Sequence, residues 1–221
     1  MPAIFLGTPV AAVPSLTALA DVDDIEVVVT QPDRRAGRGG QRSKSPVKVA
    51  AEQFGFKVEQ PETKEDLLAV LTRTEFDVGL VVAYGRILTP AMLSTAPHGF
   101  LNVHFSLLPR WRGAAPVERA IAAGDERTGV TLMKIDDGLD TGPILGEIAT
   151  PIASDETGGG LTARLSFLGA TLVDSSMPEY LNARRRPVPQ LDTETTVASR
   201  LTKDEARLRP DTPASAAERM V

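Results

Sequence analysis

Ala3-Ile4-Phe5-Leu6-Gly7-Thr8-Pro9, followed one helix-length later by Ile25-Glu26-Val27-Val28-Val29, decides the architecture. The first run is apolar and closes on a glycine-proline turn. The second is β-branched and apolar, as a buried strand requires. Between them, Ala11 to Ala20 has the composition of a helix, with Pro14 tolerable only in its first turn. Strand, helix and strand at this spacing predict a βαβ unit and a parallel sheet. The first turn carries one glycine, so the G-x-G-x-x-G dinucleotide fingerprint is absent, and no G-x-x-x-x-G-K-[ST] phosphate loop occurs. Neither a nicotinamide nor a flavin cofactor is expected.

Outward from that unit the pattern repeats. Val47 to Phe54 predicts a short helix, Lys57 to Gln60 an edge strand and Lys64 to Thr72 a helix whose Leu67, Leu68 and Leu71 share a face. Asp77 to Ala83 is nearly all apolar, which fits a central strand covered on both faces. Phe100 to His104 is the next strand, Pro116 to Ala123 a helix closed by Gly124, and Thr128 to Ile135 and Ile144 to Ile152 are further strands. A helix from Leu161 to about Ala183 follows, which Pro178 threatens to break. The expected fold is α/β and Rossmann-like: a mostly parallel, twisted sheet with helices on both faces, followed by a linker.

Composition bounds the rest. With 221 residues and 42% hydrophobic content the chain can bury a core. It has no cysteine and only His98 and His104, so disulfides, thiolate sites and multi-histidine zinc sites are excluded and no metal is expected. The N-terminus has neither a basic segment nor a long apolar run, so no signal peptide or membrane span is expected, and the cytoplasm is the expected compartment. Net charge is −5, yet residues 34 to 48 hold Arg34, Arg35, Arg38, Arg42, Lys44 and Lys48 and no acid. A positive segment on an acidic body suits local attraction of a polyanion.

The chemistry concentrates in Asn102-Val103-His104-Phe105-Ser106-Leu107-Leu108-Pro109-Arg110-Trp111-Arg112-Gly113. Asn102 and His104 are two apart on a strand and face the same way. Pro109 cannot continue a ladder, so the polar pair lies at a strand's carboxyl end beside a strand-to-helix loop, where open α/β sheets bind ligands. Singly, each residue has a structural reading: a lone histidine is more often a satisfied core residue, and a lone asparagine a turn former.

Together with Leu139-Asp140-Thr141-Gly142-Pro143, this arrangement resembles the 10-formyltetrahydrofolate-dependent formyltransferases. "SLLPRWRGAAP" and "GLDTGPIL" are most similar to the branch of that family acting on initiator methionyl-tRNA, and the resemblance runs from about Ala3 to the end of the chain. It implies an enzyme of translation initiation that transfers the formyl group of 10-formyltetrahydrofolate to the amino group of methionine on that tRNA, without a metal. Asn102 and a protonated His104 would face the oxyanion of the tetrahedral intermediate. Asp140 would orient His104 and take a proton from the acceptor. Ser106, Leu107, Leu108 and Pro109 would shape the folate site. The basic loop would grip the acceptor end of the tRNA, with Arg38 in the "AGRG" position and Arg34 and Arg42 beside it. The apolar residues of Tyr84 to Leu88, otherwise core and turn, would wall the pterin pocket, and Phe105, bulky for its position, reads as pocket variation, the alternative being that it narrows access to the formyl carbon. A monomer is expected.

The composition changes at Pro187, and the resemblance then implies a catalytic domain at residues 1–186, a linker at 187–211 and, at 212–221, the start of a further domain that stops inside a helical pattern. Within the linker, Ser199 to Leu208 predicts a short amphipathic piece, and Thr212-Pro213-Ala214 a helix start with Pro213 at the first position. The resemblance reads this as a C-terminal domain cut short. The alternatives are a folate-dependent formyltransferase acting on a small amine, such as glycinamide ribonucleotide or an amino sugar, and a folate- or RNA-binding module without activity. The basic loop and the C-terminal extension argue against the first. The presence of Asn102, His104 and Asp140 together argues against the second.

Overall fold

The computed structural model describes residues 1–36, 41–205, 207 and 212–219. Its strands are β1 (Ala3–Gly7), β2 (Ile25–Val29), β3 (Arg34–Ala36), β4 (Gln41–Ser43), β5 (Val58–Glu59), β6 (Val78–Val82), β7 (Phe100–His104), β8 (Arg112–Gly113), β9 (Arg127–Lys134), β10 (Ile144–Pro151) and β11 (Val197–Ala198). Its helices are α1 (Val13–Val22), α2 (Pro46–Phe54), α3 (Lys64–Arg73), α4 (Pro90–Leu93), α5 (Pro116–Ala123), α6 (Gly158–Leu181) and α7 (Ala214–Glu218).

Seven strands form one sheet in the order β10-β9-β7-β6-β1-β2-β5. From β7 to β5 all pairings are parallel, whereas β9 runs antiparallel to both β7 and β10. The fold is the α/β, mostly parallel arrangement that the βαβ pattern predicts. The alternation of side chains splits the core in two. Phe5, Val28, Leu80, Leu101, Val103, Val130 and Leu132 face one side, against α1, α2 and α6. Ile4, Leu6, Val27, Val81 and Phe100 face the other, with Leu67, Val70 and Leu71 of α3 and Met92 of α4. Each such side chain stabilises the fold by roughly 1.5–3 kcal/mol relative to exposure.

Local chemistry sets the helix ends. Pro14 sits within the first turn of α1. Ser45 caps α2 by accepting from Lys48 N–H, Thr63 and Asp66 form a reciprocal capping box on α3, and left-handed Gly124 closes α5. Pro178 does not break α6, which continues to Leu181. The proline stands in the last turn, where losing one intrahelical hydrogen bond disturbs little of a long, packed helix.

Three loop readings change. The basic segment 34–48 is not an unbroken loop, because β3 and β4 pair antiparallel, Arg35 opposite Arg42. Ser199 to Glu205 forms no helix, and residues 206 and 208–211 lie outside the described residues. Pro213 occupies the N-cap position of α7 rather than its first turn. Among the described residues, no helix is long and apolar enough to cross a membrane.

Candidate active site

β7 is the last parallel strand of the sheet. Asn102 lies beside Val81 of β6 on one side and Met133 of β9 on the other, and His104 lies beside Thr131. The strand's odd-numbered side chains, Leu101 and Val103, pack toward α6, so Phe100, Asn102 and His104 share the opposite face. Phe100 fills the core there, and the polar pair follows at the carboxyl end. Asn102 is half-buried, and its amide has no hydrogen-bond partner among the described residues.

His104 is 6% exposed and held from both sides. Its Nε2 is 2.8 Å from the Trp111 carbonyl oxygen. A carbonyl only accepts, so Nε2 carries the proton of that bond, and Nδ1 is the nitrogen left for chemistry. Asp140 Oδ2 stands 3.7 Å from Nδ1, too far for a direct hydrogen bond but close enough to stabilise charge on the ring. The same carboxylate oxygen accepts from the Gly113 N–H at 2.8 Å. Residues 111–113 thus touch both members of the His104–Asp140 pair.

That loop is tightly built. Ser106 Oγ donates to the Arg110 carbonyl at 2.6 Å, Thr131 Oγ1 donates to the Ser106 carbonyl at 2.7 Å, and Leu108 N–H donates to Thr131 Oγ1 at 3.1 Å. The Leu108–Pro109 peptide bond is cis. Ser106 and Leu108 are buried and hold the turn, while Leu107 and Pro109 are half-exposed. Arg110 grips Asp125 with two hydrogen bonds, 2.9 and 2.6 Å, and Trp111 Nε1 donates to the same carboxylate at 2.7 Å. Burial pushes the Asp125 carboxyl up, but these donors and the guanidinium charge outweigh it and hold the group below its ordinary value. Trp111 and Asp140 both adopt left-handed backbone, at φ 63° and 50°, conformations that an L residue keeps only when its surroundings enforce them.

Gly113 also pairs with Ala198 of β11, while Trp111 N–H donates to Thr196 Oγ1 at 2.8 Å and Arg112 N–H to the Thr196 carbonyl at 2.9 Å. The segment that composition marks as a linker is therefore strapped across the loop. Its Gln190 donates to the Asp140 and Gly142 carbonyls and accepts from Arg112. No local motif marks Gln190 or Thr131 as part of this site, because their partners are distant in sequence; Arg112 stands within the 102–113 stretch, but nothing local assigns its partner Gln190.

The structure brings Asn102, His104, Asp140 and the 106–109 loop together. It moves Phe105 away: its ring packs with the core on the α6 side, 3.9 Å from where a Cβ on Gly169 would stand, so it does not narrow the face bearing Asn102 and His104. Asp136 is turn chemistry, accepting from Gly138 N–H at 3.0 Å and from Thr141 Oγ1 at 2.7 Å. Tyr84 turns inward, 1% exposed, and burial pushes its hydroxyl up to about 12. Its carbonyl instead ties the ends of the central strands together, accepting from Thr8 Oγ1 and Gln31 Nε2, both at 3.1 Å. Arg34 and Arg42 are exposed on the β3–β4 pair, which leaves β2 at the same end of the sheet as the site. Arg38 lies outside the described residues. Among the described residues, no group of three His, Asp or Glu side chains could hold a metal ion.

Residues 4–175 match the family model for formyl transferase, and the chain belongs to the formyl transferase family. Its relatives include the methionyl-tRNA formyltransferase of Halorhodospira halophila, 50% identical over 99% of this chain and 71% of the relative. The methionyl-tRNA formyltransferase of Stutzerimonas stutzeri is 46% identical over 99% of this chain and 70% of its own length. Solved structures of the same fold include the N-formyltransferase from Helicobacter canadensis in complex with folinic acid and dTDP-3-aminofucose, at TM-score 0.78 and 20% identity, covering 99% of this chain and 78% of that one. Another is phosphoribosylglycinamide formyltransferase from Bacillus halodurans, at TM-score 0.70 and 21% identity, covering 83% of this chain and 97% of that one.

Proposed function

We propose that this chain transfers the formyl group of 10-formyltetrahydrofolate to the amino group of methionine on initiator methionyl-tRNA. The observation that carries the reading is the His104–Asp140 pair beside the Asn102 amide at the end of β7, in a chain half identical to a methionyl-tRNA formyltransferase. The small-amine alternative is supported by solved structures 20–26% identical, against 46–50% for the methionyl-tRNA formyltransferases.

Formyl transfer forms one C–N bond and breaks another. The methionine amine attacks the formyl carbon, and the carbonyl electron pair moves to oxygen. Asn102 Nδ2–H₂, which has no competing partner among the described residues, donates to that oxyanion. His104 Nδ1 accepts the proton that the amine loses, and Asp140 stabilises the resulting imidazolium. Collapse of the intermediate re-forms the carbonyl and expels N10 of the folate, which takes up a proton from Nδ1. The products are the formylated amine and tetrahydrofolate. With Nε2 held by the Trp111 carbonyl, what His104 offers the intermediate is the Nδ1 proton and the positive charge that comes with it.

The test is a transfer assay with 10-formyltetrahydrofolate, offering initiator methionyl-tRNA and glycinamide ribonucleotide in competition. Transfer to the tRNA supports the reading, and transfer to glycinamide ribonucleotide alone overturns it. Asn102→Ala should lower turnover by about 10²–10³-fold, the typical cost of one oxyanion donor, with an unchanged melting temperature. A wild-type rate from that variant removes Asn102 from the mechanism.

A further inference from the structure

We propose that Gln190 is a positioning residue for the His104–Asp140 pair, acting from the segment beyond α6 to fix the Asp140 turn. The proposal rests on the formyl-transfer reading of the site and adds to it a residue with no contact to the reacting atoms.

Every hydrogen-bonding position of the Gln190 amide is used. Nε2 donates to the Asp140 carbonyl at 2.9 Å and to the Gly142 carbonyl at 2.8 Å, while Oε1 accepts from Arg112 Nε at 3.0 Å and Nη2 at 2.7 Å. Two carbonyls demand donors and a guanidinium demands an acceptor, so the amide has only one orientation that satisfies all of them. The contacts join the two segments that bracket His104. One is the 111–113 loop, whose Trp111 carbonyl holds Nε2 and whose Gly113 N–H holds Asp140 Oδ2. The other is the 140–142 turn, where Asp140 keeps a left-handed backbone. Gln190 is itself anchored upstream by the Ile144–Val188 bridge, with bonds of 2.7 and 2.8 Å, and downstream by the β8–β11 pairing.

The two halves of the amide have separable consequences. The Arg112 contacts secure the strap to the loop. The donations to Asp140 and Gly142 set where the carboxylate stands relative to Nδ1. Gln190→Glu keeps an acceptor for Arg112 and loses both donations, and Gln190→Ala loses everything. A displacement of about 1 Å in a catalytic group can cost about 10²-fold in rate.

The experiment measures kcat and KM for both substrates in wild type, Gln190→Ala and Gln190→Glu, together with the imidazole NMR signals of each. The chain has only two histidines, and His98 sits at the opposite end of β7, stacked edge-on to Tyr180, so the His104 signals are separable. Expected for both variants is a fall in kcat of about 10²-fold, KM values near wild type, and shifted His104 signals with His98 unmoved. Wild-type kcat in Gln190→Glu overturns the proposal, because anchoring through Arg112 would then suffice, and so does a loss confined to KM. Should Gln190→Ala fail to fold, Gln190→Glu alone decides. Should the wild-type chain transfer formyl to no acceptor, the functional reading fails while the NMR arm still stands: unmoved His104 signals in Gln190→Glu overturn the positioning role, and shifted signals support it.

Discussion

At the scale of single residues, the site relies on few groups with little redundancy. His104 has one nitrogen committed to a backbone carbonyl and one facing a carboxylate, so its ring cannot turn without losing both. Asp125 does comparable work one step removed, holding Arg110 and Trp111 together through three hydrogen bonds. Its pKa is lowered in the folded chain, so its contribution to stability is fully present above the unfolded carboxylate value and is lost as pH falls through the folded one. Asp125→Asn should therefore cost about 1 kcal/mol near neutral pH, a figure kept low because the Arg110 end is part-exposed. The difference from wild type should vanish in strong acid. Urea unfolding at pH 7 and at successively lower pH checks the sign, and a gap that widens on acidification would contradict it.

At the scale of elements, the fold was easier to read than the site's supports. β1 and β6 are continuous apolar runs, and β2 is one but for Glu26; burial on both faces leaves such runs little other choice. Asn102 and His104 were legible because strand geometry puts neighbours two apart on one face. Gln190 was not legible, since a glutamine in a proline-rich stretch has no local signature and its partners lie about 50 or more residues away. The β3–β4 pair escaped for the opposite reason: its arginines and serine carry weak strand propensity, so the pairing itself defines it. Phe105 misled because, beside an active-site histidine, its size draws attention, whereas alternation sends it to the far face. The β8–β11 pairing depends on Gly113, at φ 121°, where an added Cβ would stand 2.8 Å from the Ala198 carbonyl oxygen. Gly113→Ala should loosen the strap and lower kcat by at least about 10-fold, with the melting temperature falling by a few degrees. Full activity in that variant would detach the strap from catalysis.

At the scale of the whole molecule, charge is arranged by segment. Outside residues 34–48 the chain has 18 basic and 29 acidic residues, so an approaching polyanion is repelled by most of the surface and attracted at the β3–β4 pair. Arg34→Ala combined with Arg42→Ala should raise KM for tRNA while leaving KM for the folate near wild type. It should also reduce the slope of log affinity against log salt by about 1–2, since each lost phosphate contact removes up to one released counterion. Equal losses for both substrates would make the β3–β4 pair a structural feature only. The strap has a consequence in time as well as in space. Trp111 meets Thr196 across 85 residues of chain. During synthesis the seven-stranded sheet and α6 emerge from the ribosome ahead of that partner. The nascent protein thus acquires its framework first and its finished catalytic loop last, and a chain interrupted before residue 190 would have the sheet but lack the clasp on His104 and Asp140.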